Sequence, residues 1–273
     1  MGIPMKNELI IVRGGGDLAT GIIHRLHSAG FPVLILEVEK PAAIRRQVSF
    51  CEAIYEATAT VEGVTAVKIN DISEIPTVHA ENQIPILVDP DGHCIPALKP
   101  AMVIDAIIAK KNLGTDRSMA PVTVAVGPGF TAGEDVDFVI ESMRGHNLGR
   151  IFTSGTALPD TKVPGNIGGY TSERVLHAEA AGIMRNICHI GDIVKQGQHI
   201  AEIITEEGAV LPVPATIPGI IRGLIRDGYV VTKGFKIADI DPREDQLKNC
   251  FTISDKARCI AGSALEIACA KLL

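Results

Sequence analysis

The chain has 273 residues, 46% of them hydrophobic, enough to build a buried core in one or two domains. Its 26 Lys and Arg stand against 32 Asp and Glu, a formal net charge of −6 that argues against duplex nucleic acid or an anionic membrane surface as the main partner. No apolar run reaches the roughly 18 residues of a membrane span, the first residues lack the apolar core of a secretory signal, and the scattered cysteines form no C-x-x-C pair, so a cytoplasmic protein with reduced thiols is expected.

An apolar strand over Glu8 to Val12 runs into Gly14-Gly15-Gly16-Asp17-Leu18-Ala19, after which Leu18, Ile22, Ile23 and Leu26 mark the buried face of a helix. Gly14 can take a tight turn, Gly16 lets backbone approach an anion with no Cβ in the way, and Ala19 is small enough for the helix to pack closely on the strand. This is the G-x-G-x-x-A form of a dinucleotide-binding turn, with Gly15 and Asp17 between its fixed positions. A second strand, Val33 to Leu36, ends at Glu37, about 20 residues further on, where an acid that holds a ribose belongs. The alternative is a plain turn with a solvated Glu37.

A helix near Ser49 to Ala57 follows, then strands near Thr65 to Ile69 and at Ile84 to Val88, the latter ended by Asp89-Pro90-Asp91-Gly92. An amphipathic helix from Pro100 to Lys111, closed by Asn112 to Gly114, and a buried strand from Pro121 to Val126 come next. The alternation implies an α/β fold in which residues 1–113 form a Rossmann-like parallel sheet domain that binds a nucleotide. Ligands of such sheets sit at the carboxyl ends of the strands, which puts Gly14 to Gly16, Glu37, Asp89 and Gly127 to Gly129 on one rim. Arg45 and Arg46 either reach a phosphate across that rim or form a helix-surface pair.

Residues 114–181 read as a glycine-rich mixed α/β segment. In it Gly127 and Gly129 repeat the spacing of the first turn, although Pro128 removes a backbone donor, so a second anion site and a plain turn both remain open. Arg144, His146 and Arg150 can grip a phosphorylated or pterin ligand, or ion-pair locally in a solvated loop. Cys51 and Cys94 lie near the rim, where a thiolate can carry sulfur or selenium; inert packing cysteines are the alternative. His24 and His27 have no third ligand nearby, so no metal site is expected, and no G-x-S-x-G, H-E-x-x-H or P-loop motif is present.

From residue 182 the sequence repeats itself with a constant offset of 37: Gly182-Ile-Met-Arg185 is echoed by Gly219-Ile-Ile-Arg222, and Ile200-Ala-Glu-Ile203 by Ile237-Ala-Asp-Ile240. Two such copies can interlock as a small β sandwich around a shared apolar face. The G-x-x-V-x-x-G turns resemble the barrel-sandwich hybrid of biotinyl and lipoyl carrier domains, so an all-β module over 182–243 is expected. Residues 204–215 contain no lysine to carry a prosthetic group, which makes a rigid docking or dimerising module the better reading. Over 244–273, Ser254 and Asp255 cap a helix whose Ala257, Ile260, Ala261, Ala264 and Ala268 suit packing back on the first domain.

Four stretches in order, Val12 to Gly21, Arg45 to Glu52, Val126 to Gly133 and Arg144 to Arg150, resemble the YqeB family, and the likeness continues through Asp239 to Arg243. Members of that family are regarded as accessory proteins of selenium-dependent molybdenum hydroxylases, enzymes similar to xanthine dehydrogenase. The resemblance implies a maturation protein that meets the hydroxylase apoenzyme and a selenium or sulfur donor protein, with homo-oligomers left open. It carries over no catalytic residue. The implied ligand is the molybdenum cofactor or its nucleotide form, whose pyrophosphate suits the glycine turn as well as NAD(P) does. An NAD(P)-dependent oxidoreductase and a non-catalytic nucleotide-binding scaffold are the rival expectations.

Overall fold

The computed structural model describes residues 6–273; Met1 to Met5, on which the expectation of no secretory signal rests in part, lie outside them. The chain divides into two compact units. The larger comprises the chain through Pro41, Ser49–Asp160 and Ile253–Leu273, and the smaller comprises Ala42–Val48 and Thr161–Thr252.

The larger unit is built on one sheet. Its strands are β1 (Ile10–Arg13), β2 (Val33–Glu37), β3 (Thr58–Val61), β4 (Val64–Ile69), β5 (Ile84–Val88), β6 (Met102–Asp105), β7 (Val122–Val126), β9 (Phe138–Ile140) and β10 (Ile151–Phe152), while β8 (Thr131–Ala132) pairs apart with β11 (Gly155–Thr156). The order across the nine strands is β10-β9-β7-β6-β1-β2-β5-β4-β3. The seven inner strands run parallel, and the edges β3 and β10 are antiparallel to their neighbours. All of β1, β6 and β7 is buried, as expected of strands covered on both faces. Ile11, Leu34, Leu36 and Val103 pack on one face with Ile75 and Val78 of α3 (Ile75–Ala80) and Ile95 of α4 (Ile95–Leu98). The long helices α1 (Asp17–Ser28) and α5 (Asp255–Leu272) pack on each other, and α2 (Ala53–Glu56) is a single turn. Their close approach depends on Gly21, where a Cβ would stand 2.8 Å from the Cβ of Ala257. Ser254 starts α5 by accepting a hydrogen bond from the Ala257 amide.

The smaller unit carries β12 (Val175–His177), β13 (Gly182–Asn186), β14 (Ile193–Val194), β15 (His199–Ile204), β16 (Val210–Pro214), β17 (Gly219–Leu224), β18 (Val230–Val231) and β19 (Lys236–Asp241). They form two four-stranded antiparallel sheets, β12-β19-β17-β14 and β16-β15-β13-β18. The copies interlock, because β14 of the first pairs with β17 of the second, and β18 of the second pairs with β13 of the first. Ile200, Ile203, Ile220, Ile221, Ile237 and Ile240 fill the shared core. Gly182 and Gly219, one per copy, sit where a Cβ would strike the carbonyl oxygens of Ile204 and Asp241.

The structure corrects the expected Rossmann-like parallel sheet joined to a barrel-sandwich-hybrid module. The large sheet is mixed and nine-stranded, and among the described residues only α1 and α5 exceed ten residues, so helices do not alternate with strands on both faces as that fold requires. The 114–181 segment supplies β7, the strand read over Pro121 to Val126, and also β9 and β10 to the same sheet. The smaller unit is two antiparallel sheets extended beyond the repeat by β12 and β16, and it recruits Ala42–Val48 from far back in the chain, with the Leu224 amide donating to the Ile44 carbonyl at 2.8 Å. The helix expected over Pro100 to Lys111 is instead β6. Four consecutive buried residues lose the period-2 signal of a half-exposed strand, and the neighbouring Ala106 and Ile107 then mimic helical spacing. The Ser49 to Ala57 helix is reduced to a 3-10 turn, Phe50–Glu52, and α2.

Candidate functional site

The glycine turn lies where the chain order of the large sheet reverses. From β1 the chain passes through α1 to β2 on one side, and later returns to β6 on the other, so the carboxyl ends of β1 and β6 open side by side. Gly14 has φ +96°, and a Cβ on it would lie 3.0 Å from the Ala106 carbonyl oxygen, so the turn after β1 fits tightly against the one after β6. Gly15 is equally enclosed: a Cβ there would stand 3.0 Å from the Cys51 amide, which donates to the Gly15 carbonyl at 2.9 Å. Gly16, in extended backbone at the start of α1, has nothing within 4 Å of its Cβ position. Of the three glycines, Gly16 alone faces open space. Ala19 is buried, as close helix packing demands.

Glu37 reaches back onto this turn. One carboxylate oxygen accepts from the Gly15 amide at 2.7 Å and the other from the Val38 amide at 2.8 Å. Burial pushes its pKa up, against the pull of those two amides. The structure thus brings Glu37 to the glycines from the end of β2. Thr20 locks the arrangement: its hydroxyl donates to the Gly15 carbonyl at 3.2 Å and accepts from the Phe50 amide at 2.9 Å. Sequence reasoning passed over Thr20, which looks like any polar residue inside a helix.

A second missed residue is Lys256. It is half-buried in the first turn of α5 and has no ion pair or hydrogen bond among the described residues. Burial and the charges of Arg144 and Lys110 lower its pKa, while Asp17 and Glu141 oppose the shift. Of these charges, Asp17 belongs to the first turn of α1. A cation in the first turn of a helix is disfavoured by the helix dipole, and that was the signal available in the sequence once Ser254 was read as the cap.

Below the rim, Arg13 is buried and donates to the Thr115 hydroxyl and to the Pro90 carbonyl (2.7 Å), and the Thr115 hydroxyl donates to Asp105 at 2.6 Å. Burial raises the pKa of Asp105. Arg13 and Asp105 are register partners on β1 and β6, so this network ties the two strand ends flanking the turn. Asp89 is likewise structural: burial raises its pKa, but the amides of Cys94 and His93, both at 2.9 Å, hold it below the usual carboxylate range.

Several expected site residues lie elsewhere or are already engaged. Gly127 donates to the Ile140 carbonyl, a Cβ on Gly129 would stand 2.6 Å from the Lys111 backbone, and the chain continues into β8 rather than a helix. The second glycine turn is therefore closed. Arg144 forms a two-point ion pair with Asp255, both contacts 2.7 Å, whereas Arg150 donates to Asn147 at 3.2 Å and His146 is exposed. Their loop buttresses α5, with Ser263 donating to the Gly149 carbonyl at 2.5 Å and Cys259 to that of Leu148. Arg45 and Arg46 bond backbone carbonyls of the smaller unit, at Asn249 and Leu224.

The two candidate chalcogen carriers are poor thiolates. Cys51 is 1% exposed, and burial together with Glu37, Glu52 and Asp17 pushes its pKa well above the ordinary thiol value. Cys94 is pushed up to about 12 by burial and by Asp89. Neither matches the electropositive, accessible setting of a reactive cysteine. A cavity of about 660 Å³ at the opposite end of the sheet, lined by Glu8, Leu9, Ile95, Met119 and Pro121 among others, contains none of the expected residues. Among the described residues, no cluster of His, Cys, Asp and Glu could hold a metal ion, and no helix is long and apolar enough to cross a membrane.

No family model matches the chain. Among solved structures, the ectoine utilization protein EutE (DoeB) from Ruegeria pomeroyi is 9% identical over 87% of this chain and 86% of its own, with a TM-score of 0.27. An aspartoacylase family protein from Mesorhizobium loti is 12% identical over 88% and 87%, with a TM-score of 0.30. Likeness at that level carries no argument about fold or chemistry. The uncharacterized protein YqeB of Escherichia coli (strain K12) is 49% identical over 263 residues, which take in 96% of this chain and 48% of that protein, so the chain spans about half the length of the curated relative it matches. On that relationship, which runs through the glycine turn and almost to both ends, the chain belongs to the YqeB family.

Proposed function

We propose that this chain is an accessory protein in the maturation of a selenium-dependent molybdenum hydroxylase, and that its glycine turn binds the phosphates of a dinucleotide-like ligand, the molybdenum cofactor in its nucleotide form. The observation that carries the reading is Gly16, which opens a twelve-residue helix onto free space at the point where strand order reverses. Lys256, which has no hydrogen bond or ion pair among the described residues, adds positive charge from α5, and Glu37 beside the Gly15 amide supports a contact to a ribose hydroxyl. The family relationship supports the choice of pathway, and the residues present suit a phosphorylated nucleotide.

The proposal includes no covalent step on this chain. Cys51 and Cys94 are held as protonated thiols, so chalcogen transfer belongs to a partner protein in this reading. Calorimetric titration of the purified chain with cytidine nucleotides, isolated molybdopterin, NAD and NADP tests it. Binding of the cytidine or pterin nucleotide in preference to NAD(P) is the expected result. Tight NAD(P) binding with turnover of a reducible substrate would overturn the maturation role in favour of an oxidoreductase.

A further inference from the structure

The outer face of the β16-β15-β13-β18 sheet carries an apolar row that crosses all four strands. Val230 pairs with Ile183, Ile183 with Ile204, and Ile204 with Val210, so the four β-branched side chains stand in line on one face. Val230, Ile183 and Val210 are 68%, 48% and 47% exposed. The neighbouring row is Arg185, Glu202 and Pro212, in which Arg185 donates to Glu202 at 2.6 Å. Soluble sheets with one buried face ordinarily alternate apolar inside and polar outside, and this face departs from that pattern.

The internal repeat supplies a reference within the same unit. The positions equivalent to Ile183, Glu202 and Ile204 in the second copy are Ile220, Asp239 and Asp241, and all three are buried. There Asp239 is met by Arg174, an arginine from outside the repeat. The chain therefore covers the two central strands of this surface in one sheet, where only Ile193, the counterpart of Val230, stays 54% exposed, and leaves the row bare in the other.

We propose that a second copy of this chain covers the bare face, sheet against sheet, about a twofold axis between β13 and β15. Such an axis exchanges the two strands, laying the apolar row of one copy against that of the other and setting Arg185 of one near Glu202 of the other. The face is thereby its own complement in both shape class and charge. Glu202 gains an arginine from outside its own sheet, as Asp239 does in the covered copy.

Sedimentation equilibrium of the full chain, across concentrations up to about 1 mM, tests the proposal. The unmodified chain is expected to form a reversible dimer, and Ile183→Lys to weaken it on the order of 100-fold by burying an unpaired charge. Val230→Asp, on a short edge strand, is a second variant with little risk to folding, and circular dichroism confirms that each variant is folded. Arg185→Glu should weaken the dimer and the double swap Arg185→Glu with Glu202→Arg should restore it. A chain that stays monomeric over the whole range, or a dimer that both apolar-row variants leave unchanged, overturns the proposal; so does a different protein that binds this face of a monomeric chain.

Discussion

Alanine at Gly15 and at Gly16 separates the turn's structural role from its binding role. At Gly15 the new Cβ meets the Cys51 amide at 3.0 Å and the Cys51 Cβ at 3.2 Å, both fixed by the backbone hydrogen bond to the Gly15 carbonyl. Crowding of this kind costs about 1–3 kcal/mol, and Gly15→Ala is expected to lower the melting temperature whether or not ligand is present. At Gly16 the backbone already has φ −67°, ψ −179°, and nothing lies within 4 Å of the Cβ, so the fold should lose less than about 1 kcal/mol, the difference between glycine and alanine at a helix start. That methyl group stands where an anion would approach the helix. Loss of one hydrogen bond to a charged group costs about 1.5–3 kcal/mol, which corresponds to a roughly 10- to 150-fold weaker cytidine nucleotide in calorimetry. The reasoning is refuted if Gly16→Ala is stable and binds the nucleotide as tightly as the unmodified chain.

Gly21→Ala should destabilise the larger unit, because its Cβ would meet Ala257 at 2.8 Å, while Gly262→Ala on α5, with nothing within 4 Å, should stabilise it by about 0.5–1 kcal/mol; equal effects in thermal melts would contradict the described helix contact. In the smaller unit, burial raises the pKa of Asp241 but hydrogen bonds from Arg243 and Arg222 outweigh it and lower the value from 3.8 to about 2. A carboxylate with a depressed native pKa contributes stability above its unfolded value, so that contribution should be lost as pH falls from about 4 towards 2, and an unaltered acid slope in Asp241→Asn would contradict it. Iodoacetamide near neutral pH should label the exposed Cys259 and Cys269 well before Cys51 or Cys94, as peptide mapping by mass spectrometry would show; early labelling of either rim cysteine would reopen its role as a carrier. Lys256→Met should weaken a phosphate-bearing ligand about tenfold and flatten the salt dependence of binding, and an unchanged salt dependence would remove Lys256 from the site.

The strand, turn and helix around Gly14 to Gly16 were legible because each signal is local. Ile10 to Val12 form an apolar run, three glycines follow it directly, and Leu18 to Leu26 show helical spacing, although the contacts that enclose Gly14 and Gly15 come from Ala106 and Cys51 far along the chain. The 37-residue repeat was legible for the same reason, and its glycines mark equivalent strand crossings at Gly182 and Gly219. Where the fold departed from expectation, the deciding contacts are long-range. Met102 to Asp105 are enclosed by β1 and β7, which erases the alternation that names a strand, and Ala42–Val48 join a unit whose remaining residues begin at Thr161. Polar partners distant in sequence were hardest to read: Arg144 was open between a ligand contact and a local ion pair, and the carboxylate it pairs with lies on a helix more than a hundred residues on.

That same long-range closure explains why the site has the composition it does. Docking α5 against α1 needs the small pair Gly21 and Ala257, and the residue before Ala257, Lys256, couples electrostatically to Asp17 in the first turn of α1. A lysine there opposes the dipole of its own helix, is desolvated, and meets the like charges of Arg144 and Lys110, which Asp17 and Glu141 offset only in part. The remaining cost of a half-buried lysine falls once an anion sits beside it. The Lys256→Met variant should therefore be as stable as the unmodified chain, or more so, when ligand is absent, and less stabilised when a nucleotide is added. Loss of stability in the ligand-free variant would show that Lys256 serves the fold through its apolar stem, and would withdraw it from the binding site.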